Sequence, residues 1–113
     1  MITRVVNIHD SSYDIYVGRS GHGLASLLGN PFPLKIHTIA ARAEALERYD
    51  VYFQAQLSDA SLIAVAFRRE LERCRGKVLG CFCQPRGGFR GAYYCHAQRI
   101  AAHLNGCTPQ EIP

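Results

Sequence analysis

Four side chains with the chemistry of soft-metal ligands, Cys81, Cys83, Cys95 and His96, fall within sixteen positions of a 113-residue chain. Zinc takes four ligands from cysteine sulfur and histidine nitrogen, and a strand end facing a helix start can bring two ligand pairs together. Cys81 and Cys83 are two residues apart, so on a strand both point to one side. Cys95 and His96 are adjacent and are expected where a helix begins. The pattern predicts zinc on Cys81, Cys83, Cys95 and His96. With all four bound the shell is closed and the metal structural; hydrolysis needs three protein ligands and an activated water. Two other readings stay open. Cys81 and Cys83 could be small buried residues of an apolar strand, or one thiol could act as a nucleophile with its pKa lowered by a helix N-terminus. Cys74 is expected to pack inside a helix and Cys107 to lie exposed in the tail.

A second set of residues has the chemistry to hold an anion. Gly18-Arg19 and Gly29-Asn30-Pro31-Phe32 belong to a loop of about residues 18–37 that also contains Gly21, Gly23 and Pro33. A loop this long in so small a chain points to function. Glycine lets a ligand approach the backbone, and Arg19 could hold phosphate or carboxylate. Gly18, Arg19, Gly29, Asn30, Pro31 and Phe32 are therefore the expected ligand-binding residues. Neither dinucleotide nor Walker spacing is present. If catalysis occurs, His22, His37 or His103 could relay protons and Asp14 or Glu44 could serve as base, with nothing in the spacing to choose among them. Arg86, Phe89, Arg90, Tyr93 and Tyr94 interleave cations with rings between the cysteine pairs, a composition suited to nucleic acid but also to a loop with its own small core.

The elements that must position these residues follow from periodicity. Arg4 to Ile8 and Tyr13 to Val17 read as strands joined through His9-Asp10-Ser11-Ser12, and a hairpin is expected. Leu46, Tyr49, Phe53 and Leu57 recur at helical spacing after a Thr38 cap. Ser58 to Ser61 breaks that helix and caps a second, whose face is Ile63, Phe67, Leu71 and Cys74, ended by Gly76. Lys77 to Cys83 reads as a buried strand, and Ala97, Ile100, Ala101 and Leu104 as a last helix reaching Asn105-Gly106. We expect an α/β fold with a small sheet of about three or more strands flanked by three helices, in the order β-β-α-α-β-α, forming one domain over residues 1–113.

Composition bounds the function classes. An apolar share of 48% and a charged share of 19% exclude a disordered chain. No apolar run approaches the length of about 18–20 residues that crosses a bilayer, and no leader-like N-terminus is present, so a cytoplasmic location is expected. Thiols stay reduced there, which favours metal ligation over disulfides. The net charge of +4 is carried mostly by arginine, Lys35 and Lys77 being the only lysines. That balance leans toward an anionic partner.

Several of these stretches together resemble a known family. Tyr13 to Arg19, Gly29 to Phe32, the helix around Ala45 to Tyr49, and Arg75 to Cys83 with Pro85 and Cys95-His96 are similar to the small bacterial and phage family named domain of unknown function 4326, over about residues 4 to 104. The resemblance implies a compact α/β domain whose two loops and Cys/His cluster meet in one pocket, and leaves the chemistry open. The family usually keeps its cysteine pairs closer and follows Cys-His with glycine and an acidic residue. Here Arg86 to Tyr94 lengthens the gap and Ala97-Gln98 replaces that continuation. We therefore expect a small zinc-binding α/β domain with a pocket for a nucleotide-like or other anionic ligand, in the service of nucleotide or base processing if it is an enzyme. The alternative is a non-catalytic protein- or nucleic-acid-binding module with a structural zinc.

Overall fold

The computed structural model describes residues 1–20, 23–32, 34–85 and 87–113, so the expectations placed on Gly21, His22, Pro33 and Arg86 lie outside the described residues. Strands β1 (Arg4–Asn7), β2 (Ile15–Tyr16) and β3 (Val78–Cys81) form one sheet in the order β1-β3-β2, and helices α1 (Ile39–Ser58), α2 (Leu62–Arg73) and α3 (His96–Asn105) complete the α/β architecture. A short 3-10 turn, Pro109–Glu111, follows.

The sheet corrects the hairpin expected at the N-terminus. Strands β1 and β2 do not pair with each other; both run parallel to β3, with Val5 opposite Leu79 on one side and Ile15 opposite Leu79 on the other. The connection, residues 8–14, therefore crosses over the middle strand. Strands this short make such a crossover feasible. Returning two residues, from the level of Cys81 to that of Leu79, takes about 7 Å and passing two strand spacings about 10 Å, roughly 12 Å in all, against a reach of about 23 Å for seven extended residues. Gly80 is the place where it passes. A β-carbon there would lie 2.6 Å from Cγ of Tyr13 and 2.8 Å from Cγ2 of Ile8. Asp14 then locks the crossover to β3, donating its N–H to the Val78 carbonyl and accepting from the Val78 N–H through its carboxylate, both at 2.8 Å.

The opposite face of β3 carries Leu79 and Cys81, both fully buried, into the main core. Helix α1 lays Leu46, Tyr49 and Phe53 on that core and is capped by Thr38, whose hydroxyl accepts from Ala41 N–H at 3.1 Å. Helix α2 is capped by Ser61 and buries Ala64, Phe67 and Leu71, while Ile63 is 71% exposed. The expected face was thus rotated by one residue at its start. Gly76 has φ of 73°, the left-handed geometry foreseen for it. Helix α3 is nearly enclosed, burying Ala97, Ile100, Ala101 and Leu104, and ends at Gly106 with φ of 71°. Cys74 is buried, as expected, and burial pushes its thiol up to about 12. Cys107 is half-buried against the core rather than exposed. Among the described residues no helix is long and apolar enough to cross a membrane.

Two side chains close the sheet at its β1 side. Gln84 accepts from Asn7 N–H at 2.9 Å and donates to the Val5 carbonyl at 3.0 Å, which occupies backbone groups a further strand would use. Asn105 makes the same kind of reciprocal pair with Thr3, at 2.9 Å in both directions, and so ties the last helix to the start of the chain.

Candidate functional site

Strand β3 delivers Cys81 into the core, and the chain beyond it brings Cys83 to the same side, half-buried. Cys95 is the N-cap of α3 and His96 its first residue. What holds this helix start is Gln98, whose side chain is fully buried. Its carbonyl oxygen accepts from the N–H groups of Tyr94 (2.7 Å) and Cys95 (2.8 Å), and its amide donates to the carbonyls of Ala92 (2.7 Å) and Pro109 (3.1 Å). All four bonding positions of the carboxamide are used. A carboxylate here could not donate the last two bonds.

The cluster so formed is a chain of thiols ending on Cys83. Cys95 Sγ donates to Cys81 Sγ at 3.5 Å. Bonds to Cys83 and burial raise the pKa of Cys81, and burial with the same thiol contacts keeps Cys95 protonated. Contact with the Cys81 and Cys95 thiols, with His96 and Arg42 nearby, lowers the pKa of Cys83. His96 is 3% exposed. Its Nε2 lies 2.6 Å from the Val17 carbonyl, which can only accept, so Nε2 carries the proton. Burial lowers the His96 pKa, leaving the ring neutral and Nδ1 as an acceptor 3.8 Å from Cys95 Sγ. A neutral imidazole with its Nε2 proton on a backbone carbonyl keeps Nδ1 as its acceptor. As they stand, no three or more histidine, cysteine, aspartate or glutamate side chains among the described residues form a group that could hold a metal ion.

A protein-family model described as Domain of unknown function (DUF4326) matches residues 3–106. The chain belongs to this family. No curated protein and no solved structure matches it.

In this DUF4326 domain the two glycine loops do meet the cluster. A cavity of about 20 Å³ is lined by Arg19, Asn30, Arg42, Cys83, Cys95 and His96, among others. Arg19 reaches from the end of β2 to donate to the Phe32 carbonyl at 2.8 Å, and Asn30 accepts from Phe32 N–H at 2.9 Å. The Asn30 bond fixes the amide so that its NH₂ is left as a donor. Gly29 and Pro31 line a wider neighbouring pocket of about 510 Å³, which shares Arg19 and Asn30 with the first. Phe32 faces other grooves along α1. Gly18 is buried, and the space a β-carbon would need there is filled by the Tyr16 ring, whose hydroxyl donates to the Arg19 carbonyl. Its glycine character thus shapes the loop from beneath.

Arg42 was not anticipated as a site residue. It projects from the first turns of α1, lies 3.9 Å over the Tyr94 ring and donates to the Tyr94 carbonyl at 3.3 Å. It falls between the apolar positions of the helical pattern, and its half-buried position depends on a loop fifty residues away. The ring-rich loop is used internally. Phe89 is 3% exposed, and Tyr93 donates to Asp50 at 2.6 Å beside the Arg99 guanidinium, which holds both oxygens of Asp50 at 2.8 and 3.0 Å. Of the suggested proton carriers, His103 packs on Phe53, Asp14 braces β3 and Glu44 pairs with Arg48. None of these, nor His37, lines the 20 Å³ cavity.

Proposed function

We propose that this domain holds a structural zinc ion on Cys81, Cys83, Cys95 and His96 and uses the adjoining cavity to bind a small anion. One observation carries the anion: Arg19 and Arg42 line the same cavity, and neither has a carboxylate partner among the described residues. Half-buried guanidinium groups without a counter-charge are unfavourable unless an anion joins them. Zinc answers only part of this need. A dication with three thiolates and a neutral imidazole carries a single net negative charge, which offsets one guanidinium and leaves the other.

Two separations in the cluster support the metal reading. With zinc–sulfur bonds of about 2.3 Å and zinc–nitrogen bonds of about 2.0–2.1 Å, a tetrahedron has sulfur–sulfur edges of about 3.8 Å and sulfur–nitrogen edges of about 3.6 Å. The separations of 3.5 Å for Cys95 and Cys81, and 3.8 Å for Cys95 and His96 Nδ1, are within a few tenths of those lengths. Five unpaired cysteines suit a reducing compartment, and a cytoplasmic location is part of the proposal. The bound metal would replace the thiol hydrogen bonds and join β3 to α3.

Metal analysis of protein purified without chelator tests this reading. Stoichiometric zinc, reduced by Cys81→Ser and by Cys95→Ser, is expected; metal-free protein with an intact fold overturns it. A second reading is favoured by one observation, that Cys83 lines the cavity beside Arg42 with its pKa lowered. It makes Cys83 a reactive thiolate, and predicts that metal-free protein is alkylated by iodoacetamide at Cys83 faster than at Cys107.

A further inference from the structure

The two adjoining pockets differ in size in a way that restricts the ligand. The inner one, of about 20 Å³, has room for one or two water-sized centres, since a single water needs about 10–15 Å³ on this measure. The outer one, of about 510 Å³, is of the size that small organic ligands occupy. Arg19 and Asn30 are common to both and so stand at the junction. Beyond them the outer wall is Ser20, Ser26, Leu27, Gly29, Pro31 and the Tyr52 ring.

The arginines are not equivalent. Arg42 is held on the Tyr94 ring and carbonyl. Arg19 spends one nitrogen on the Phe32 carbonyl and opens toward both pockets, next to the Asn30 amide. A planar two-oxygen group fits the inner space and matches a guanidinium fork. A phosphate monoester presents three terminal oxygens and is the bulkier group for a space of about 20 Å³.

Resting on the anion-binding reading above, we infer that the ligand is a small organic carboxylic acid, its carboxylate held by Arg19 and Asn30 in the inner pocket and its uncharged body in the outer one against Tyr52. Arg42, held by Tyr94, is not the recognition residue. The body carries no second negative charge, because among the described residues the outer pocket adds no cation beyond Arg19.

An NMR amide-shift titration with two probes, benzoate and phenyl phosphate, tests the inference on the full chain. Benzoate is expected to move the amides of Arg19, Ser20 and Asn30 saturably and to bind more tightly than phenyl phosphate. Arg19→Gln should weaken benzoate about tenfold or more, the loss typical of a charge-assisted bond; Arg42→Gln should weaken it less than about threefold. Arg19→Lys, which keeps the charge and loses the fork, should fall between, and guards against a variant that fails to fold. Tighter binding of phenyl phosphate at these amides overturns the carboxylate inference and leaves the anion pocket standing. Equal losses from Arg19→Gln and Arg42→Gln overturn the assignment of Arg19. No response to either probe overturns both this inference and the anion-binding reading, while zinc content remains a separate measurement.

Discussion

A β-carbon on Gly29 would stand 2.7 Å from the carbonyl oxygen of Gly18. The two loops expected to bind ligand are therefore clasped backbone to backbone, and the clasp sets the distance between Arg19 and Asn30. Gly29→Ala should force them apart. The expected cost is about 1–3 kcal/mol, typical of overpacking against groups that cannot yield. Urea denaturation measures it, and benzoate shifts at Asn30 should weaken together with stability. Unchanged stability would mean that the loop adjusts freely.

Gln98 offers a sharper substitution. Gln98→Glu preserves shape and removes both donated bonds, to Ala92 and Pro109, while placing a charge in a fully buried position. A loss of about 2–4 kcal/mol is expected, from unsatisfied carbonyls and the buried carboxylate. Because Gln98 also fixes the N–H of Cys95, the metal affinity should fall in the same variant. Denaturation of the metal-loaded and chelator-treated protein separates the two effects.

At the β1 edge, Gln84→Ala frees Asn7 N–H and the Val5 carbonyl. Two hydrogen bonds at about 0.5–1.5 kcal/mol each are lost. The larger expected change is association, since an uncovered edge can pair with a second copy. Light scattering as a function of concentration should detect it; a monomeric variant at all concentrations argues that Gln84 contributes stability alone.

Stability should decline in alkali. Burial raises the Tyr49 phenol well above its ordinary 10.0, and burial with the Asp50 hydrogen bond raises that of Tyr93. Both keep their protons when folded and lose them near pH 10 when unfolded. The unfolded chain then binds fewer protons, so the free energy of unfolding falls as pH rises through 10. The buried thiols of Cys74 and Cys95 act in the same direction from about pH 9, the ordinary thiol value of 9.0. Tyr93→Phe should reduce the slope above pH 10 by up to about 1.4 kcal/mol per pH unit. Urea titrations at several alkaline pH values check it.

Much of the helical framework was legible in the chain. The spacing of Leu46, Tyr49 and Phe53, the Thr38 and Ser61 caps, and glycines at 76 and 106 are local signals, and local signals survive folding. The pairing of β1 and β2 was not, because it depends on β3, more than sixty residues downstream. Nearness in sequence suggested a hairpin; the third strand came between. The Cys/His cluster and the loop carrying Arg19 and Asn30 were legible as chemistry, and their meeting in one cavity followed the family resemblance. Arg42 and Gln84 were not, since each acts through side-chain bonds to distant backbone that no periodicity encodes; Gln98 lies three residues after the Cys95 cap, the capping-box position, a local signal that was passed over.

The crossover above Gly80 also governs the order in which this chain can assemble. β3 is the centre of the sheet, yet it is made after both flanking strands and two helices. During synthesis the first seventy-odd residues have no partner on which β1, β2 or residues 8–14 can settle, and Gly80 must arrive before Tyr13 has a surface to lie on. Sheet, crossover and site should therefore form together, late, and as one slow cooperative event dominated by long-range contacts. A nascent chain stopped before Val78 would expose two unpaired strands, and its lifetime on the ribosome is a period of vulnerability to aggregation.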